Sequence, residues 1–313
     1  MIATLNTLHT YQNIILEPGK LIHLPDNRSY LNRIKDFSIA NLKEFNNRWQ
    51  RQHNPLNERA NEIFPRLRIS LNDIHYDEYH FSWKTSNESQ MLVVFIHGLN
   101  SSPLAWSNYL KEFPLDDPKA SCFVPFVYKR GYCQLKTAAD PILDVVQDYA
   151  NDHPHNPIFL VGHSNGARIA AYLEQKIHAK CIRLISIAGP HCGSKLINWM
   201  ALMRLTQHFG FTREMVDEYL YKNPWVTNKL IKWQNKQKLK LNEGRDIKRI
   251  FFAAADDWRI FPTETSFPYL PNSEYHLMKG ESHVTIIDAV ANSVVAYISK
   301  EKRARTATFY KQM

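Results

Sequence analysis

The sequence predicts an α/β fold, with a mostly parallel central sheet flanked by helices and a helical insertion carried above it. Three observations predict it. Apolar runs of strand length recur from Tyr79 onward, and helix-patterned stretches lie between them. One interval, Gly193 to Arg249, holds helical patterning alone.

Taken in order, residues 1–75 form a mainly helical extension packed on the core. Leu31, Ile34, Leu42, Phe45 and Trp49 share one face of an amphipathic helix, with Ser29 placed to cap it. The main domain spans 76–313. It opens with alternating Tyr79, Phe81 and Trp83, then a turn at 86–89. Met91 to Ile96 is continuously apolar, as in a strand buried on both faces. Further strands are expected at 122–127, 158–161, 182–188, 250–255 and 274–278, with helices at 142–149, 167–177 and 284–298. The insertion, at about 195–245, occupies the place of a lid or cap.

The bulk numbers narrow the function classes. With 44% hydrophobic and 22% charged residues, the 313-residue chain reads as globular rather than disordered. No apolar run reaches membrane-span length, and the first residues lack a basic region and an unbroken apolar stretch, so a cytoplasmic or otherwise soluble protein is expected. Four cysteines without C-x-x-C spacing argue against metal or redox work, and reduced thiols are the plain account. The net charge of +9 favours anionic surfaces. Nucleic acid is not expected, because no aromatic-interleaved or zinc motif accompanies the basic clusters.

The chemistry centres on Gly162-His163-Ser164-Asn165-Gly166, a G-x-S-x-G between a short apolar strand and an Ala-rich helix. So tight a turn needs small residues two positions either side of the serine, and it lifts the hydroxyl clear of the sheet. His163 occupies the variable position and is expected to shape the pocket wall. Upstream, His97-Gly98-Leu99 follows a strand, where the amide of Leu99 with that of Asn165 could hold an oxyanion. His97 itself reads as structural. A serine needs a base and an orienting acid. His283 stands on a loop before the last helix, and Asp256-Asp257 at the tip of a late strand. The order Ser, Asp, His is one of three known orders for such a triad. Asp257 is the favoured acid and Asp256 the alternative; His276 is the rival base.

On these residues the chain from about 76 to 300 resembles the α/β-hydrolase superfamily. Ile185 to Ser194, with Gly189-Pro190-His191-Cys192-Gly193-Ser194, is similar to the G-T-P-H-x-G-S signature of bacterial triacylglycerol lipases and GPI-inositol-deacylase-like esterases, with Ala188-Gly189 standing where that pattern has Gly-Thr. The resemblance implies a serine carboxylester hydrolase, plausibly lipid-directed, that needs no cofactor. Ser164 would attack, His283 would move its proton, and an acyl-enzyme would be hydrolysed. An acyltransferase or thioesterase using the same triad, or a non-catalytic binding module on this scaffold, are the alternatives. Leu196, Met200 and Met203 suit either a cover over an acyl pocket or ordinary packing of the insertion. Lys232, Lys236 and Lys240 suit either a solvated face or contact with an anionic membrane.

Overall fold

The computed structural model describes residues 21–53, 81–84, 90–99, 101, 103–112, 120–125, 133–206 and 211–312. In chain order these form α1 (Tyr30–His53), β1 (Phe81–Lys84), β2 (Leu92–Ile96), α2 (Ser107–Glu112), β3 (Ser121–Pro125) and α3 (Leu135–Asp152). The middle of the chain holds β4 (Ile158–His163), α4 (Asn165–Lys176), β5 (Cys181–Ile187), α5 (Lys195–Leu202), α6 (Arg213–Tyr219) and α7 (Pro224–Asn242). It closes with β6 (Asp246–Ala254), β7 (Ser273–Met278), α8 (Thr285–Ala289) and α9 (Ala291–Gln312).

Among the described residues the sheet is seven-stranded, in the order β1-β3-β2-β4-β5-β6-β7. Only the edge strand β1 runs antiparallel, pairing Phe81 with Pro125 through Lys84 with Cys122. The other six strands are parallel. Strands β2, β4 and β5 are buried along their whole length, which is why β2 and the first four residues of β4 are unbroken apolar runs, and why β5 is apolar apart from the buried Arg183 and Ser186. Odd and even positions feed opposite cores. Leu92, Val94 and Leu160 face α3, α4 and Trp233, whereas Val93, Phe95 and Val161 face Trp106, Tyr109 and Val294. From β2 the chain moves outward to β3, then returns to lay β4 on the other side of β2. That reversal opens a crevice at the carboxyl ends of β2 and β4, where open α/β sheets bind ligands.

The structure alters three sequence expectations. Helix α1 forms, but the described part of its predicted apolar face points outward: Leu31, Ile34 and Leu42 are exposed, and among its described side chains the buried ones are Ala40 and Glu44. The side chains of Phe45 and Trp49, like Tyr79, lie outside the described residues. The last helix breaks at Val290 into α8 and α9. The insertion is helical, but its basic second half is not wholly a free face: Lys232 and Lys236 are exposed, and Lys240 is not. Lys240 is buried 3.5 Å from the Glu174 carboxylate, and Lys236 donates to the Gln175 carbonyl at 2.7 Å, both on α4. Lys240 is therefore removed from any headgroup-contacting set.

Candidate active site

Ser164 sits between β4 and α4 with φ 56° and ψ −123°, a conformation that L-residues rarely adopt. The flanking glycines permit it. A Cβ on Gly162 would lie 2.3 Å from the Gly166 carbonyl oxygen, and one on Gly166 would lie 2.0 Å from that of Ile96. The turn is thus wedged between α4 and the end of β2, with Ser164 at the head of the helix, where backbone N–H groups lack internal partners.

Two loops bring the partners. The Ser164 Oγ–H donates to His283 Nε2 at 2.8 Å, and His283 Nδ1–H donates to Asp257 Oδ2 at 2.6 Å. The other carboxylate oxygen of Asp257 accepts the backbone N–H groups of Arg259 at 2.8 Å and Ile260 at 3.0 Å. Burial alone would raise the Asp257 pKa; the His283 imidazole and those two N–H groups outweigh it and hold the carboxyl below its usual range. Of the two candidate acids, Asp257 is the one at the histidine. The rival base His276 lies on β7, stacked on Phe252 at 4.9 Å and 3.8 Å from Glu274, away from the serine.

The remaining predicted residues fall as follows. His97 is buried, with Nδ1–H donating to the Gly98 carbonyl at 2.9 Å, and burial pushes its pKa down to about 4. Gly98 lies against the serine, which places the chain at Leu99 beside the reacting centre. Asn165 begins α4, its side-chain oxygen accepting from the Tyr219 hydroxyl. His163, expected in the pocket wall, donates Nε2–H to the backbone carbonyl of His283 at 2.7 Å. Burial, with the charge of His283 second, pushes its pKa down to about 3, so it stays neutral while it holds the base's backbone. Leu196 and Met200 join Ile197, Met215 and Tyr219 in a small apolar cluster that also packs on Leu99. Met203, which follows α5, is 55% exposed and is not part of that cluster.

The Gly189-Pro190-His191 turn packs behind the elbow. A Cβ on Gly189 would stand 2.7 Å from the Ala167 Cβ, which explains why both positions are small. His191 is hydrogen-bonded to Ser186 at 2.8 Å.

Sequence reasoning missed three contributors. Tyr219, on α6, reaches Asn165 from the insertion, and the Arg168 guanidinium lies 4.1 Å over its ring. Arg28 pairs with Asp256, and Glu44 with Arg259, so both residues come from the N-terminal segment. Neither carries a motif; only the buried pairing partners reveal them. Beside the acid loop a cavity of about 860 Å³ opens, lined by Leu24, Ile34, Phe37, Trp258 and Phe261 together with Asp257. Among the described residues no cluster of His, Cys, Asp and Glu could hold a metal ion, and no helix is long and apolar enough to cross a membrane.

The profile of the family described as "Putative serine esterase (DUF676)" matches residues 86–266. No curated protein sequence matches the chain. Among solved structures, a lipase-esterase related protein from Clostridium acetobutylicum aligns at 16% identity and TM-score 0.43, covering 71% of this chain and 98% of that one. MenH from S. aureus aligns at 15% and 0.43, covering 71% and 99%. The propeptide form of the Bacillus licheniformis lipase BlEst2 aligns at 14% and 0.48, covering 67% and 50%.

Proposed function

The chain belongs to the DUF676 serine esterase family, and on that premise we propose that it is a lipase-like carboxylester hydrolase working through an acyl-enzyme on Ser164. The carrying observation is the unbroken relay from the Ser164 hydroxyl through His283 to Asp257, at 2.8 and 2.6 Å. His283 takes the hydroxyl proton as Oγ attacks the ester carbonyl. Backbone N–H groups of Leu99 and Asn165 hold the oxyanion, and His283 returns the proton to the leaving alcohol. Water, deprotonated by the same imidazole, then releases the acid. Asp257 stays ionised throughout, because its second oxygen is already saturated by Arg259 and Ile260.

An apolar acyl group is supported by the rim of the site. Trp258 and Phe261 are exposed on the acid loop and line, with Leu24, Ile34 and Phe37, the cavity beside Asp257, an apolar surface suited to an acyl chain. The exposed aromatic and aliphatic side chains also support a lipid aggregate or membrane surface as the place where substrate is met. Fluorophosphonate labelling of the wild type and Ser164→Ala, followed by esters of graded acyl length, tests the reading. Labelling lost in Ser164→Ala and rates rising with chain length are expected; labelling that persists in Ser164→Ala overturns the nucleophile.

A further inference from the structure

We infer that Arg28, far outside the serine esterase domain in sequence, is a positioning residue that fixes the acid and histidine loops; this rests on the proposed hydrolytic reading of Ser164. The segment before α1 is anchored first. The N–H of Ile22 donates to the Phe267 carbonyl at 2.9 Å, and Leu21 bridges Pro268. Arg28 is thereby carried under the acid loop, its side chain 10% exposed.

Its guanidinium is used as a double fork. Nη1 and Nη2 meet the two oxygens of Asp256 at 2.8 and 3.1 Å. Nε and Nη2 meet the two of Asp26 at 2.9 and 2.7 Å. Nη1 also reaches Asp36, on α1, at 2.8 Å. A planar guanidinium can satisfy three carboxylates in this way, whereas an ammonium point charge cannot.

Asp256 passes the constraint on. Its Oδ2 accepts the Gly280 N–H at 2.8 Å, and its own N–H donates to the Glu281 carbonyl at 3.2 Å. His283 stands two residues beyond Glu281. The residues that bracket Asp257 are therefore both tied to the N-terminal segment: Asp256 to Arg28, and Arg259 to Glu44. Arg259 also supplies one of the two N–H groups that orient Asp257. Removing Arg28 leaves the buried Asp256 carboxylate unneutralised beside Asp257, and the loop must move to rehydrate it.

The test uses the full chain as Arg28→Met, Arg28→Lys, Asp256→Asn and the Arg28→Met/Asp256→Asn double variant. The readouts are thermal melts, kcat and KM on a soluble short-chain ester, fluorophosphonate labelling rate, and the downfield proton resonance of His283 Nδ1–H. For Arg28→Met, kcat and labelling rate should fall about 10²-fold at near-constant KM, the scale of an ångström-level misplacement. Arg28→Lys should recover part of the loss. In the Asp256→Asn background the Arg28→Met effect should shrink, since the two act in series. The Nδ1–H resonance should shift or broaden in Arg28→Met. A folded Arg28→Met that labels at the wild-type rate with an unshifted resonance overturns the inference, whatever its melting temperature. Should Arg28→Met not fold, Arg28→Lys and Glu44→Gln carry the same comparison. Failure of the wild type to label would overturn the esterase reading instead, and the resonance would still decide the role of Arg28.

Discussion

A Cβ placed on Gly98 would stand 2.7 Å from the Cβ of Ser164 and 3.3 Å from its hydroxyl oxygen. The loop after β2 approaches the serine so closely that only a bare backbone fits between them. Gly98→Ala should therefore push the Leu99 amide off the oxyanion position while the sheet stays intact. A fall of about 10²-fold in kcat or more is expected, the cost of one oxyanion donor. Steady-state kinetics beside a far-ultraviolet circular dichroism spectrum reads it; wild-type turnover by the alanine variant would remove Leu99 from the oxyanion hole.

Ser164 holds its positive φ at an energetic cost that its activity requires. Ser164→Gly should be about 1 kcal/mol more stable than Ser164→Ala, because glycine occupies this backbone region freely. Both variants should be inert to fluorophosphonates. Urea melts of the pair check the order, and equal midpoints would mean that the turn is not strained.

The two adjacent aspartates should separate cleanly by substitution. Asp257→Asn leaves the His283 Nδ1–H facing an amide and should lower kcat by about 10³ or more. Asp256→Asn can keep an oxygen for the Gly280 N–H and Arg28 Nη1, losing the charge and the acceptor for Nη2 but no contact with His283, so its effect on kcat should be at least tenfold smaller. Single-turnover acylation rates distinguish them, and the reverse ranking would reassign the acid.

Buried neutral histidines predict the acid limb of stability. Burial lowers the pKa of His97 to about 4 and those of His163 and His191 to about 3, against an unfolded value of 6.5. Above pH 6.5 both states are neutral and nothing is lost. Below it the unfolded chain takes up protons that the folded chain refuses, so stability falls from about pH 6.5 down to the folded values. Each histidine contributes about 1.4 kcal/mol per pH unit within that window. Urea midpoints at pH 7.0, 5.5 and 4.5 should decline in step, with His191→Gln flattening the slope. A flat midpoint would show that the three are protonated in the folded state.

How much of this was legible depended on whether a residue's neighbours in space were also its neighbours in sequence. Gly162 and Gly166 announce the elbow because they stand at fixed spacing about one serine in a single turn, and the apolar runs of β2 and β4 announce strands that must be covered on both faces. Asp257 and His283 could be read from order along the chain and from their places at element ends. Helix α1 shows the limit. Its stripe of Leu31, Ile34 and Leu42 gives the helix but the wrong packing face, since it docks through Ala40 and Glu44. An ion pair between residues 44 and 259 leaves no periodic trace. Lys240 misled in the same way, because its partner Glu174 lies on another helix.

Glu174 has a consequence for how this molecule can change over generations. Fully enclosed on α4, its carboxylate meets Arg249 of β6 at 3.3 Å, Lys240 of α7 at 3.5 Å and the Trp233 indole N–H at 2.8 Å. Elbow helix, sheet and insertion thus share one buried charge. A descendant that trimmed α7 to widen the mouth would strand that carboxylate in the interior without three of its partners, Trp233, Gln237 and Lys240. The insertion is freest to diversify on the exposed face of α5, at Trp199 and Leu202, because α6 carries the Tyr219 that meets Asn165, while α7 must be inherited with the nucleophile's own helix or exchanged together with Glu174 in a single step.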